Sequence, residues 1–110
     1  MAVFNKRQGE SLSVKYGLKL DGVEQNFATG WLCKLVVKLK SGGIDGAIKA
    51  IDKTITDQTL DNTRYIVSIT PAEMAALSDD DYYLLVELSN ASSNINKEFH
   101  DTLKVAKQGI

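Results

Sequence analysis

Residues 65–88 read Y-I-V-S-I-T-P-A-E-M-A-A-L-S-D-D-D-Y-Y-L-L-V-E-L, and the fold turns on how this stretch is divided. The first five residues alternate, with Tyr65, Val67 and Ile69 on one side, as in a half-buried strand. Thr70 then offers a hydroxyl to the orphan amides of a helical first turn. Pro71 follows at the first helical position, where its fixed φ suits a helix and its missing N–H costs nothing. Glu73 stands three residues after Thr70 and completes a capping-box pattern. Met74 and Leu77 are spaced to share one face. The acidic residues Asp79, Asp80 and Asp81 oppose the dipole at a helix C-terminus, so the coil is expected to stop near residue 78. A helix this short does not survive alone in water and must lean on a sheet. Tyr82, Leu84, Val86 and Leu88 then alternate with Tyr83, Leu85 and Glu87, which predicts a second and more apolar strand. The stretch is therefore strand, short helix over residues 71–78, turn and strand.

On the N-terminal side, residues 63–69 form the whole of the first strand, and residues 57–62 read as a turn. Residues 44–60 are ambiguous. Ile44, Ile48, Ile51 and Ile55 follow a helical spacing, yet Ile51, Lys53 and Ile55 also satisfy period two. A strand over 47–56 is expected because strands flank it on both sides, and the helical alternative stays open. Ser41, Gly42 and Gly43 break the preceding segment, residues 30–40, in which Trp31, Cys33, Leu35, Val37 and Leu39 share one face. Its other face carries Leu32, Lys34, Val36, Lys38 and Lys40. Residues 12–20 alternate over nine positions and predict another strand, closed by a turn at Asp21 and Gly22. A short return follows, with Phe27 as its anchor. Val3 and Phe4 fit an edge strand before a polar turn at residues 6–10. On the C-terminal side, residues 89–94 read as a hairpin loop. Residues 96–105 return with Phe99, Leu103 and Val105 as anchors, and 107–110 form a tail.

About seven strands with closely spaced turn signals and one connecting helix predict an all-β, antiparallel β-sandwich. No βαβ alternation occurs, which argues against a doubly wound sheet. The 110 residues fit one domain spanning 1–110. Charge is nearly balanced, with 13 Lys and Arg against 14 Asp and Glu, so the basic excess of a nonspecific nucleic-acid binder is missing. No run of 18 apolar residues signals a membrane span, and the N-terminus lacks the apolar core of a signal peptide. One cysteine leaves no internal disulfide.

Chemistry-bearing residues are sparse. His100 is the sole histidine and reads as a surface residue rather than a ligand. Cys33 alternates with Trp31 and Leu35 and reads as a small core residue. The three consecutive aspartates lack the spacing of a calcium loop and read as a solvated turn. Ser41, Gly42 and Gly43 lack the remainder of a phosphate-loop motif. The expectation is a non-enzymatic protein with no cofactor and no metal. Binding is the one functional hint. Leu32 and Val36, with Tyr83 and Leu85, form a second apolar face on the central strands. That face is either covered within the chain or open to a partner.

Three segments carry a family resemblance: F-N-K-R-Q-G-E-S-L-S-V-K-Y at 4–16, W-L-C-K-L-V-V-K-L-K at 31–40, and the strand–helix–strand unit at 65–88. Together they resemble the small immunoglobulin-like domains of bacteriophage tail and baseplate proteins, in particular the N-terminal domain of the baseplate upper protein family. One departure is Asp81 before Tyr82, where such domains often place glycine. The resemblance implies an immunoglobulin-like sandwich and a structural role in a phage or prophage tail, baseplate or neck. It implies assembly in the host bacterial cytoplasm and residence in the virion. The implied partners are other particle proteins and a second copy of the chain, with no nucleic acid and no membrane. The alternative is a carbohydrate- or ligand-binding sandwich, for which Trp31 and Tyr83 are the candidate aromatics.

Overall fold

The computed structural model describes residues 2–107, so the expected tail lies outside the described residues beyond Lys107. Among these residues seven strands have five residues or more: β1 (Val3–Arg7), β2 (Leu12–Tyr16), β5 (Leu32–Leu39), β6 (Ile51–Ile55), β7 (Tyr65–Ile69), β8 (Asp80–Asn90) and β9 (Ile95–Ala106). A two-residue ribbon, β3 (Lys19–Leu20) with β4 (Val23–Glu24), a single 3-10 turn at Lys40–Gly42 and one α-helix, α1 (Pro71–Ala75), complete the regular elements.

Two layers result. The larger is a five-stranded sheet in the order β1-β9-β8-β5-β6, and the smaller is the pair β2-β7. All neighbours are antiparallel except β1 and β9, which run parallel. The chain crosses between layers after β1, β2, β6 and β7, so neither layer is a local hairpin stack. Register sets the core. In the small sheet Leu12 faces Ile69, Val14 faces Val67 and Tyr16 faces Tyr65. In the large sheet Cys33 faces Leu88, Leu35 faces Val86 and Val37 faces Leu84. Those six large-sheet residues are essentially inaccessible to water, and full burial of such a side chain is worth about 1.5–3 kcal/mol. The buried cluster is continuous from β2 to β9.

The corner between β7 and β8 forms as the capping signals predict. Thr70 Oγ1 accepts from the Glu73 amide at 3.1 Å, and Glu73 Oε1 accepts from the Thr70 amide at 2.9 Å. The helix buries Met74 and ends earlier than residue 78, with Leu77 buried in the turn that follows. Tyr82 enters at the start of β8 and its hydroxyl donates back to the Ser78 carbonyl at 3.0 Å. A tyrosine hydroxyl bonded back to the backbone a few residues upstream is also the arrangement of the tyrosine corner in immunoglobulin-like sandwiches. Leu84 stands two residues on, where antibody domains carry a bridging cysteine. It is buried, and the chain's single cysteine, Cys33, is free.

Several boundaries differ from expectation. The nine-residue strand at 12–20 divides into β2 and β3. It breaks at Gly17, where an added Cβ would lie 3.0 Å from the Thr63 carbonyl oxygen. Long-range backbone approach, invisible in local alternation, interrupts the strand. Residues 44–50 are neither strand nor helix, and β6 begins only at Ile51. Gly43 adopts φ +76°, and Gly46 lies so close to the Gly42 carbonyl that a Cβ would meet it at 2.9 Å. The glycines fold this segment back on itself, which leaves Ile48 exposed. The polar residues Lys6 and Arg7, read as a turn, extend β1 because the β9 backbone offers them partners. Asp80 and Asp81, read as a solvated turn, open β8 opposite Val105 and Lys104.

Candidate functional site

The β2-β7 layer covers one face of the five-stranded sheet, and the opposite face is the candidate site. Strand alternation sends Leu32, Lys34, Val36 and Lys38 outward from β5, and Tyr83, Leu85 and Glu87 outward from β8. The antiparallel register sets Val36 directly opposite Leu85, Lys34 opposite Glu87, and Lys38 opposite Tyr83. Leu32 faces Ser89 at the end of the row and is 45% exposed. Val36, Tyr83 and Leu85 are half-buried. The structure therefore gathers the four apolar candidates on one face, with Val36 and Leu85 at its centre. The second layer lies against the other face, and on this one Leu32 is exposed while Val36, Tyr83 and Leu85 keep part of their surface in solvent.

Charge surrounds this centre asymmetrically. Lys34 and Lys38 line β5, with Lys49 close by, whereas Glu87 and Glu98 lie on the β8 and β9 side of a shallow groove of about 210 Å³. Lys38 Nζ donates to the Ile44 carbonyl at 3.1 Å, which ties the irregular loop to the sheet. The Lys40 ammonium sits 5.4 Å from the centre of the Tyr83 ring, a cation–π approach. His100, opposite Leu85 on β9, has Nε2 3.6 Å from Glu98 Oε1 and is exposed. Among the described residues no ion pair engages Lys34 or Glu87, although the two are cross-strand neighbours.

No protein-family model matches the chain, and no curated protein matches it.

The remaining singled-out residues fall elsewhere. Trp31 precedes β5 and packs edge-on against Phe27, ring centres 5.0 Å apart, while Phe27 stacks on Tyr65 at 4.9 Å. It belongs to the rim of the core, so Tyr83 is the outward aromatic of the two considered for ligand stacking. Burial pushes the Cys33 thiol up to about 12, which keeps it protonated and unreactive. Tyr16 is also raised, first by burial and then by its hydrogen bond to Asp101, whose Oδ2 it approaches at 2.6 Å. The same Asp101 accepts the Ala2 amide at 2.9 Å through Oδ1. It thus ties β2 and the residue before β1 to β9 and is a structural hub. Among the described residues no group of three or more His, Cys, Asp or Glu side chains is placed to hold a metal ion.

A second feature, at the open side of the sandwich, is absent from the sequence-based expectations. Lys53 of β6 reaches across to Glu73 of α1, with Nζ 2.7 Å from Oε1. A cleft of about 550 Å³ lies there, lined by Ile51, Lys53, Glu73, Leu77 and Tyr82 among others. Burial raises the Glu73 carboxyl, but the hydrogen bonds from Lys53 and Thr70 outweigh it and hold the group below its ordinary range. The pairing ties β6 of the large sheet to the helix that follows β7 of the small one. Its local signal is the alternation of Ile51, Lys53 and Ile55, which turns Lys53 inward.

Proposed function

We propose that the chain is a non-enzymatic assembly module of a bacteriophage or prophage particle, in its tail, baseplate or neck, acting by protein–protein contact. The observation that carries this reading is that Leu32, Val36, Tyr83 and Leu85 all face outward, Val36 directly opposite Leu85, on a sheet face that the chain's own second layer does not cover. A monomer gains little by keeping apolar side chains at the centre of an open face, whereas a partner surface buries them. The resemblance of the 4–16, 31–40 and 65–88 segments to phage immunoglobulin-like domains supplies the particle. On this reading the partners are other particle proteins and a second copy. The contact calls for no cofactor, nucleic acid or membrane, and the protein resides in the virion after assembly in the bacterial cytoplasm.

The test is to purify intact particles from the host and locate the chain by gold-labelled antibody and mass spectrometry. The reading predicts stoichiometric label at the tail, baseplate or neck, and exclusion of a folded Leu85→Glu chain from the particle. Complete particles that lack the chain would overturn it.

A further inference from the structure

We infer that the outer sheet face pairs with a second copy of this chain about a twofold axis running parallel to the strands, midway between β5 and β8. This deepens the assembly reading and rests on it. A face-to-face dimer requires its twofold axis in the plane of the interface. Two orientations are simplest, and the charge pattern separates them.

With the axis parallel to the strands, each residue of β5 lies over its own cross-strand neighbour from β8 of the second copy. The observed register then sets Val36 over Leu85 of the second copy, Lys34 over its Glu87 and Lys38 over its Tyr83. Because the contact is isologous, each of these occurs twice. Asp52, which is level with Val36 on β6, comes over His100, which is level with Leu85 on β9. With the axis across the strands and level with Val36, β5 instead lies over β5, and Lys34 is stacked on Lys38 of the second copy. Both arrangements bring Val36 and Leu85 together with their counterparts at the centre, but the first sets Lys34 over Glu87 whereas the second sets Lys34 over Lys38. Like-charge juxtaposition across an interface is a strong discriminator. Both axes leave the strands of the two sheets aligned, so the charge pattern is what separates them.

The overlap is modest. Strand β5 covers β8 of the second copy over its eight residues and β6 covers β9 over its five, so strands spaced about 4.8 Å and rising about 3.4 Å per residue overlap over on the order of 400 Å² per copy. That places the contact in the small, transient class of interfaces. The dimer is therefore expected to be reversible and concentration-dependent.

The experiment is sedimentation equilibrium on the parent chain, on Lys34→Glu, on Glu87→Lys, and on an equal mixture of the two variants. The parent dimerises. Each variant alone opposes like charges twice across the twofold and is expected to weaken dimerisation at least about tenfold. In the mixture the introduced glutamate of one variant meets the introduced lysine of the other. The unchanged Glu87 of the first meets the unchanged Lys34 of the second, so a heterodimer of near-parent strength forms. Each variant also places like charges side by side within its own sheet, and mixing does not relieve that. Recovery on mixing therefore reports the contact between copies, and thermal melts confirm that both variants are folded. A parent chain that stays monomeric at high concentration overturns the inference. So do variants that dimerise like the parent, or a mixture that stays as weak as its components. Leu85→Glu separates these failures from failure of the underlying reading. If it abolishes association while the charge swaps do not, the twofold is wrong and the face stands. If it leaves both association and particle incorporation intact, the face itself is not the contact surface.

Discussion

The two faces of β5 and β8 are built from the same two segments, yet they do different work. Inward, Cys33, Leu35, Val37, Leu84, Val86 and Leu88 are sealed by the second layer, with no charged residue among them. Outward, Leu32, Val36, Tyr83 and Leu85 are interleaved with Lys34, Lys38 and Glu87. Apolar character alone does not separate the faces, since leucine and valine occur on both. Interruption by charge does. An uninterrupted row commits a face to a permanent core, whereas a row broken by lysine and glutamate tolerates water and can also meet a partner.

The contrast is most vulnerable from the inside. Leu84→Ala removes a side chain that is 1% exposed and is expected to cost about 2–5 kcal/mol in chemical denaturation, from lost transfer energy and the cavity left behind. Tyr82→Phe comes next. The corner hydroxyl is its only loss, and the Ser78 carbonyl is left without that donor. A decrease of about 1–3 kcal/mol is expected by the same measurement.

Glu73 probes the seam between the layers. Its folded carboxyl lies below its unfolded value, so its contribution is fully present above the ordinary glutamate range and is lost as pH falls through the folded value. Denaturation of the parent across acidic pH should show this slope, and Glu73→Gln should flatten it while losing about 1 kcal/mol near neutrality. The smallest effect is expected outside. Leu85→Thr keeps a strand-favouring residue on the open face and should shift the unfolding free energy by no more than about 0.5 kcal/mol. A loss at Leu85 as large as that at Leu84 would mean that the outer face is a second core.

Where fold and sequence agree, the signals are local and mutually supporting. Thr70, Pro71 and Glu73 mark the helix start. The alternation of Tyr65 to Ile69 and of Tyr82 to Leu88 marks the strands beside it. The outward set Leu32, Val36, Tyr83 and Leu85 is legible from the same alternation, but only the β5–β8 register shows that Val36 meets Leu85 and Lys34 meets Glu87. Where they disagree, the deciding contact is distant. Gly17 breaks its strand against the Thr63 carbonyl, and Lys6 and Arg7 become strand through parallel pairing with β9. The isoleucine spacing at 44–55 suits two periods at once, and the glycines at 43 and 46 exclude both for its first half. The Lys53–Glu73 pair is hidden in the sequence because its members belong to elements that meet only in the folded chain.

The most direct test of a sheet whose inner face folds the chain and whose outer face meets other molecules is one substitution read two ways. Leu85→Glu should melt within a few degrees of the parent by circular dichroism, while sedimentation shows its association lost. A Leu85→Glu chain that unfolds, or one that associates as strongly as the parent, would contradict that division of labour.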